Sequence, residues 1–222
     1  GVHLGYLVFM LVSTLKDANI ESEVHMDHLA GVLPNIAKLP DGARLLTEPG
    51  CSYIKQLIPQ LKAASKARRE GTALMLKNIC LHRGEYPELM LKQGGIDFIP
   101  SIIQPLSGET PREGSDLVRE GLAGAVQVLA STPDGLDALL AHDAHARLRT
   151  GYADEEHRPV LEAIEITADY FLASGRLPEE YHDKSDVGGY ATAAVVDDDD
   201  DDVDAGDDDG PGMMLLGTNY RL

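Results

Sequence analysis

Residues 66–83, with the sequence KARREGTALMLKNICLHR, decide the fold of this chain. Within residues 73–81 only Lys77 and Asn78 are polar. A helix that is apolar on nearly all sides must be enclosed by neighbouring elements. The stretch therefore predicts an inner helix, and we expect Leu74→Ala to cost roughly 2 to 5 kcal/mol of stability, as at other buried leucines.

The pattern of this helix recurs along the chain, which indicates internal repeats. Two stretches place apolar residues on either side of an asparagine, 43 residues apart: Leu33, Asn35 and Ile36, and Leu76, Asn78 and Ile79. The tripeptide Pro-Asp-Gly occurs at 40–42 and again 93 residues later, at 133–135. Self-similarity at about 40 to 47 residues is typical of armadillo and HEAT arrays, whose small helical units cannot bury their apolar faces alone. The sequence thus predicts an all-α fold, a right-handed helical solenoid of armadillo/HEAT-like repeats.

Hydrophobic periodicity places the helices of this solenoid within residues 1–176. The predicted helices are 2–17, 23–38, 41–48, 51–64, 66–83, 87–93, 96–106, 115–131, short helices within 134–150, and 155–173. Pro34 falls inside the second helix and is expected to kink it, because proline has no N–H group to donate. We expect four inner helices side by side, at 28–38, 66–83, 115–131 and 155–173.

The last part of the chain, residues 177–222, differs from the rest in its charge. It holds 14 acidic and 2 basic residues of a chain with net charge −18, whereas residues 1–176 carry a charge of −6. Like charges repel, and so few apolar residues cannot offset the entropy that is lost on ordering. We predict a disordered acidic tail whose removal leaves the melting temperature nearly unchanged. Since the chain starts without Met and in mid-pattern, we expect it to be a fragment that lacks earlier repeats.

Cysteine usage and hydropathy indicate a cytoplasmic protein. Cys51 and Cys80 lie in apolar helical patterns without zinc-type spacing, so both are predicted to be reduced thiols in the core. The apolar run 4–15 is too short to span a bilayer and lacks the features of a signal peptide. We expect neither a membrane-spanning nor a targeting segment.

Histidine and cysteine side chains are the candidates for chemistry, and each has a simpler explanation. Two pairs of histidines are spaced to share a helix face: His25 with His28, and His142 with His145. Neither pair has a third ligand at a fixed spacing. Cys80 and His82 point to different faces of a helix because they lie two residues apart. We therefore predict no enzyme activity, no metal site and no cofactor, with a helical metal-dependent enzyme as the less favoured alternative.

Basic residues are concentrated in one part of the chain: Lys55, Lys62, Lys66, Arg68 and Arg69. We interpret them chiefly as a solvated face, with an acidic partner as the alternative. Nucleic acid is not an expected partner, since the chain as a whole is strongly acidic.

Six short motifs occur in order within residues 23–175. They are Leu33-Pro34-Asn35-Ile36-Ala37, Arg68-Arg69-Glu70-Gly71, Leu76-Lys77-Asn78-Ile79-Cys80, Ile96-Asp97-Phe98-Ile99-Pro100, Gln104-Pro105-Leu106-Ser107-Gly108 and Val118-Arg119-Glu120. With these motifs the chain resembles the protein HGH homolog family, armadillo-type proteins of the eukaryotic cytosol. The resemblance implies a folding adaptor that holds newly made translation elongation factor two and brings it to the cytosolic chaperonin. The long acidic linker that follows the fifth motif in that family is replaced here by a short polar connection.

Partner contact is expected at the polar residues of the inner helices: Asn35, Arg69, Asn78 and Arg119. An equally weighted alternative has the two asparagines cap neighbouring helix ends. Changing both arginines to Glu is expected to weaken binding by more than about 1 kcal/mol without unfolding, provided that their side chains reach solvent. The alternative function is a generic armadillo scaffold or transport adaptor, although the chain has no Trp for the ladder that nuclear-import receptors use.

Overall fold

The described part of the chain consists of helices and the turns between them. The computed structural model describes residues 2–17, 27–82, 84–109 and 112–177. Within these ranges there is no β-strand, so the predicted all-α fold is confirmed. The predicted tail from residue 178 onward and the beginning of the helix predicted at 23–38, with His25, lie outside the described residues.

The α-helices are labelled here in chain order. They are α1 (Val2–Asp17), α2 (Asp27–Ala30), α3 (Leu33–Ala37), α4 (Pro40–Leu46), α5 (Tyr53–Leu57), α6 (Lys66–Leu81), α7 (Tyr86–Gly94), α8 (Phe98–Ile103), α9 (Asp116–Ala130), α10 (Pro133–Ala141), α11 (Ala144–Tyr152) and α12 (Arg158–Ala173). Two 3-10 helices continue α5 and α8, at Ile58–Lys62 and Gln104–Leu106. Their order follows the predicted one, and the main differences occur at prolines.

The helix predicted at 23–38 is broken rather than kinked. Residues 31–32 form a turn between α2 and α3, and Pro34 lies in the first turn of α3. In a first turn the missing N–H of proline costs no helical hydrogen bond, whereas in a helix interior it does. Pro34 therefore starts a new helix instead of bending a continuous one.

Prolines also shorten the helices predicted at 51–64 and 96–106. Each ends in one of the 3-10 segments, whose first turns hold Pro59 and Pro105. A proline cannot donate the bond to the carbonyl four residues earlier that would continue the α-helix. Cys51 lies in the turn before α5 and is only half-buried, so its predicted place in the core is wrong.

The same order of three helices occurs three times. A short helix with a proline in its first turn (α4, α7, α10) is followed by a second helix (α5, α8, α11) and by a long inner helix (α6, α9, α12). We call each set a triplet, and α1 to α3 precede the first one. The inner helices lie side by side, since α3 packs on α6, α6 on α9, and α9 on α12, as the sequence predicts.

The core is centred on α6, which lies between α3 and α9. Met75, Leu76 and Ile79 are fully buried there. Leu74 is only half-buried, so its prediction as an interior residue is wrong, and the large cost of a leucine-to-alanine change is expected at Leu76 instead. Leu177, the first residue of the predicted tail, is buried with the core.

Side-chain hydrogen bonds join each of the first two triplets to the helices before it at a nearly constant offset. Four polar side chains contact a backbone carbonyl 44 or 45 residues earlier in the chain: Gln60 at Leu15 (2.8 Å), Asn78 at Pro34 (3.0 Å), His82 at Ala37 (2.7 Å) and Gln93 at Glu48 (2.8 Å). The carbonyls of Leu15 and Pro34, whose hydrogen bonds are buried, thus find side-chain partners 45 and 44 residues further along the chain. The spacing of these contacts agrees with the period seen in the sequence.

The repeated Pro-Asp-Gly tripeptide has the same structural role at both of its positions. The prolines start α4 and α10, and each glycine lies against the end of the preceding inner helix. A Cβ atom on Gly42 would be 2.0 Å from the carbonyl oxygen of Ile36, and one on Gly135 would be 2.3 Å from that of Leu129. Only glycine fits at this distance, which accounts for the repeated tripeptide.

Candidate partner-binding surface

The two asparagines predicted for partner contact lie on neighbouring inner helices in different environments. Asn78 is buried, and its Nδ2 donates to the carbonyl of Pro34 at 3.0 Å. Asn35 is exposed on α3, with its Nδ2 at 3.5 Å from the carbonyl of Gly31 one turn earlier. Asn78 therefore has the bonding expected of the alternative role, contact with a neighbouring helix, whereas Asn35 is accessible to a partner.

Arg69 holds the connection that leads into the next inner helix. Its Nε and Nη2 donate to the two carboxylate oxygens of Glu113 at 2.7 and 3.2 Å. Its Nη1 donates to the carbonyls of Ala63 and Ala64 at 2.8 and 2.9 Å. The guanidinium thus links the start of α6 to the segment before α9 through a bidentate ion pair, the strongest geometry available to arginine.

Arg119 repeats this arrangement one triplet later. Its Nε and Nη2 donate to the two carboxylate oxygens of Glu155 at 2.8 and 3.0 Å. Its Nη1 donates to the carbonyl of Glu113 at 2.7 Å, which is the same six-residue step back that joins Arg69 to Ala63. Only 9% of the Arg119 side chain and 2% of that of Glu155 are exposed. We call the two pairs the Arg69–Glu113 clamp and the Arg119–Glu155 clamp.

Both glutamates also fix the start of the following inner helix. Glu113 accepts from the backbone N–H of Ser115, and Glu155 accepts from that of His157, each at 2.9 Å. Ser115 and His157 are the N-cap residues of α9 and α12. An anionic group at a helix N-terminus is favourable because the unpaired N–H groups there carry partial positive charge.

The electrostatics of Glu155 show how firmly its clamp is held. Burial alone raises the pKa of this carboxyl, but hydrogen bonds from Arg119 and from the His157 N–H, with the charges of Arg119 and Arg112, outweigh burial and lower the pKa to about 2. The Nη2 of Arg112 lies 2.8 Å from a carboxylate oxygen of Glu155. Glu155 therefore stays ionised at any physiological pH.

The sequence predicts that changing Arg69 and Arg119 to Glu leaves the fold intact, provided that both side chains reach solvent. The contacts described above contradict that condition. Arg119 does not reach solvent, and both guanidinium groups are engaged by Glu113 and Glu155. Replacing either arginine by Glu would set two carboxylates against each other inside the chain, which costs stability. A role of these arginines in partner contact stays a prediction, but that double variant cannot test it.

The arginine of each clamp is the first residue of an Arg-Glu-Gly tripeptide, which occurs at 69–71 and at 119–121. The glutamate contacts the next N-cap residue: Glu70 accepts from Ser115 Oγ at 2.6 Å, and Glu120 lies 3.3 Å from His157 Nε2. The glycine packs closely on an earlier helix. A Cβ on Gly71 would be 2.3 Å from the carbonyl oxygen of Ala30 at the end of α2, and a Cβ on Gly121 would be 2.8 Å from the backbone carbon of Ala73 in α6. Each tripeptide thus joins one inner helix to both of its neighbours.

Sequence reasoning missed the repeated Arg-Glu-Gly tripeptide, although both copies are present in the sequence. The two tripeptides are 50 residues apart, whereas the asparagine pattern repeats after 43. The connection at 107–114 lengthens the second interval, and the two intervals together span the 93 residues between the Pro-Asp-Gly copies. A search at one fixed period does not find a repeat whose units differ in length.

The predicted basic face is only partly solvated. Arg68 is buried, and its Nε donates to Gln60 Oε1 at 2.9 Å, which makes it part of the core. Lys55, Lys62 and Lys66 are exposed. The prediction of a solvated face is therefore wrong for Arg68 and for Arg69, which is largely covered and paired with Glu113, and it is confirmed for the three lysines.

One strip of the inner helices combines apolar and charged side chains that are exposed or half-buried. We call it the inner strip, and it consists of Leu74, Lys77 and Leu81 on α6 and Leu117 and Glu120 on α9. Leu81 is 61% exposed, and Leu117 is 46% exposed. Lys77 Nζ lies 2.7 Å from Glu120 Oε1 and joins the two helices. This hydrogen bond, partly opposed by burial, lowers the pKa of Glu120.

Comparison with protein families shows the family to which the chain belongs. Residues 3–133, from α1 to the start of α10, match the family described as a domain of unknown function, DUF383. The chain belongs to this family. No curated protein matches it. The DUF383 match includes the inner strip and the Arg69–Glu113 clamp, whereas Glu155 of the second clamp lies beyond the matched residues.

The DUF383 chain shows no convergent arrangement for metal or thiol chemistry in the residues that the structure describes. Burial raises the pKa of the Cys80 thiol to about 12, and its Sγ faces the Ala125 carbonyl at 3.9 Å. Within the described ranges, no three His, Cys, Asp or Glu side chains are close enough to share a metal ion. None of the described helices has the length and hydropathy needed to cross a membrane.

Proposed function

We propose that this DUF383 protein is a cytoplasmic folding adaptor that binds newly made translation elongation factor two and delivers it to the cytosolic chaperonin. The partner identities rest on the six motifs that resemble the protein HGH homolog family. An adaptor of this kind needs an accessible surface that accepts a partly folded protein, and no chemistry of its own. The inner strip is one accessible surface among the described residues, and we assign client contact to it.

We also propose that the triplets form a right-handed armadillo-type array. Three helices in the same order, inner helices side by side, and contacts at an offset of 44 or 45 residues support it. In such arrays each unit buries its apolar face on its neighbours, and successive inner helices form one continuous surface. This surface gives a client many contacts without a deep pocket.

The observation that carries the proposal is the exposure of Leu81 and Leu117 beside the Lys77–Glu120 pair. Single exposed leucines are common, but exposed apolar side chains on adjacent helices that are bordered by polar ones are typical of protein-binding surfaces. The two leucines lie on adjacent inner helices, so one segment of a client can contact both. Burying them on a client would remove apolar area from water, which favours association.

The test is binding of purified elongation factor two to the wild-type chain and to the double variant Leu81→Asp/Leu117→Asp. Both leucines are exposed, so we expect the variant to keep the wild-type melting temperature and to bind at least tenfold more weakly. The matched control is Leu39→Asp/Ile96→Asp, at two exposed apolar residues outside the inner strip. This control is expected to bind as the wild type does.

Affinity purification from cells with mass spectrometry provides the second readout. Recovery of elongation factor two together with chaperonin subunits by the wild type, and their loss with the inner-strip variant, would support the adaptor role. Unchanged recovery with a folded inner-strip variant would place the client elsewhere. Recovery of other proteins without elongation factor two would favour a generic scaffold.

A further inference from the structure

A second surface, formed by the second helices of the triplets, carries positive charge. An open groove of about 550 Å³ lies between α5 with its 3-10 extension, α8 with its 3-10 extension, and α11. Its lining residues are Lys55, Ile58, Pro59, Lys62, Gly94, Asp97, Pro100, Ser101, Gln104 and Arg147. We call it the second-helix groove, and it shares no residue with the inner strip or with the clamps.

The charges in the second-helix groove are unbalanced. Three lining residues are basic and one, Asp97, is acidic. Lys55 and Lys62 are exposed, and among the described residues neither has a carboxylate within ion-pair distance. Arg147 has a long contact of 3.4 Å to Glu109, whose side chain is 58% exposed, so a competing carboxylate can displace it at little cost. The groove is thus a cationic site on an otherwise acidic protein.

The spacing of the lysines selects the shape of the anion. Lys55 and Lys62 lie seven residues apart across α5 and its 3-10 extension, which corresponds to about 10 to 13 Å along the axis. A compact anion such as phosphate cannot contact both side chains at that distance without drawing them together. An extended peptide advances about 3.3 Å per residue and points successive side chains to opposite faces. Carboxylates four residues apart therefore lie on one face and match the two lysines.

The floor of the groove fits a polypeptide as well. Ile58, Pro59 and Pro100 provide apolar contact, and Ser101 and Gln104 provide polar groups beside them. A volume of about 550 Å³ lies within the range of about 300 to 1,000 Å³ found for binding sites. Charged ends above a partly apolar floor are the arrangement expected for a short acidic segment with small residues between its carboxylates.

We propose that the second-helix groove binds an extended acidic segment of a partner polypeptide, with carboxylates four residues apart on Lys55 and Lys62 and a further one on Arg147. The site is independent of the inner strip and of the identity of the client. It gives the protein a second docking surface, through which a partner can be held while the inner strip is occupied.

The test is fluorescence anisotropy with the full chain and a labelled Gly-Ser peptide that carries Glu at every fourth position. We expect saturable binding that weakens with added salt, as ion pairs at a surface require. The variant Lys55→Glu/Lys62→Glu is expected to raise Kd at least tenfold. The control Lys16→Glu/Lys38→Glu makes the same change in net charge at exposed lysines outside the groove and is expected to stay within twofold of the wild type.

A second peptide of the same composition with its glutamates adjacent tests the spacing, and we expect it to bind at least threefold more weakly. Equal loss of binding in both lysine variants would show non-specific attraction and overturn the proposal. So would the absence of binding to the wild type, equal affinity for the two peptides, or displacement by millimolar inorganic phosphate at constant ionic strength. Melting curves of both variants show that each is folded.

Discussion

Removing one charged side chain of a clamp is expected to lower the free energy of unfolding strongly. A buried ion pair adds little stability over an apolar pair of the same size, because both charges must leave water. Removing one partner is different, since the other charge then stays buried without compensation, at a cost of about 3 to 5 kcal/mol. Arg119 and Glu155 meet this condition, whereas Arg158 and Glu162 form a pair at the surface.

Glu155→Gln is expected to lower the free energy of unfolding by about 3 kcal/mol at neutral pH. The folded pKa of Glu155 is about 2, below its usual value of 4.5. The stabilisation is therefore present above pH 4.5 and is lost as the pH falls toward 2. Urea unfolding of the wild type and the variant should give a stability difference that shrinks over this interval.

The control for this measurement is Glu162→Gln, which removes a carboxylate of similar distance to its arginine but with 57% of its side chain exposed. An exposed pair contributes about 0 to 1 kcal/mol, so the control should remain close to the wild type at every pH. A pH-independent difference for Glu155→Gln would show that the clamp does not act through the charge of Glu155.

Within the inner helices, close packing between helices decides which residue fits a position more than helix propensity does. Glycine in a helix is less favourable than alanine by about 1 kcal/mol, so Gly121 and Gly124 in α9 need a reason. A Cβ on Gly121 would be 2.8 Å from the Ala73 backbone carbon of α6. A Cβ on Gly124 would meet only side-chain atoms of Lys77 at 3.3 Å, and these can move. The first glycine is required by the packing of α9 on α6, and the second is not.

Gly121→Ala is therefore expected to destabilise the protein by about 1 to 3 kcal/mol, because the two helices must move apart. Gly124→Ala in the same helix is the matched control, and it should be neutral or stabilising by up to about 1 kcal/mol. Thermal unfolding followed by circular dichroism measures both. A neutral Gly121→Ala would mean that α6 and α9 are packed more loosely than the described distances indicate.

Across the described chain, stability is expected to depend on how many neighbours an inner helix has. In the armadillo-type array that we propose, each unit contacts only the adjacent units. α6 and α9 are covered on both sides by other inner helices, whereas α1 lies at one end and exposes Tyr6, Leu7, Phe9 and Met10. Local opening should therefore begin away from α6 and α9.

Hydrogen exchange followed by mass spectrometry checks this gradient. We expect the amides of α6 and α9 to exchange slowest, and those of α1 and α12 to exchange faster by at least tenfold after correction for intrinsic rates. Leu76→Ala should speed exchange in α6 and α9 together. Exchange of α1 as slow as that of α6 would contradict the neighbour-only description.

The hydrophobic periodicity of the sequence predicted the helices, but it did not predict where they end or which residues form the candidate site. Apolar spacing predicts the inner helices because burial repeats every three or four residues along them. It did not predict that Pro59 and Pro105 end α-helices in 3-10 turns, nor that Leu74 lies on the uncovered face of α6. Which face of an all-apolar helix stays open depends on where its neighbours lie, and that is not local information.

The sequence by itself determined the all-α class, the order of the helices and the side-by-side placement of the inner helices. These features follow from apolar patterns within single segments of the chain and from the similarity between segments. The tertiary structure alone decided the roles of Arg69 and Arg119. In the sequence they are polar residues of inner helices and suggested partner contact, but their acceptors, Glu113 and Glu155, lie 44 and 36 residues away. A side chain's partner is fixed by packing, so only the folded chain shows whether a charge is available to another protein or is already paired.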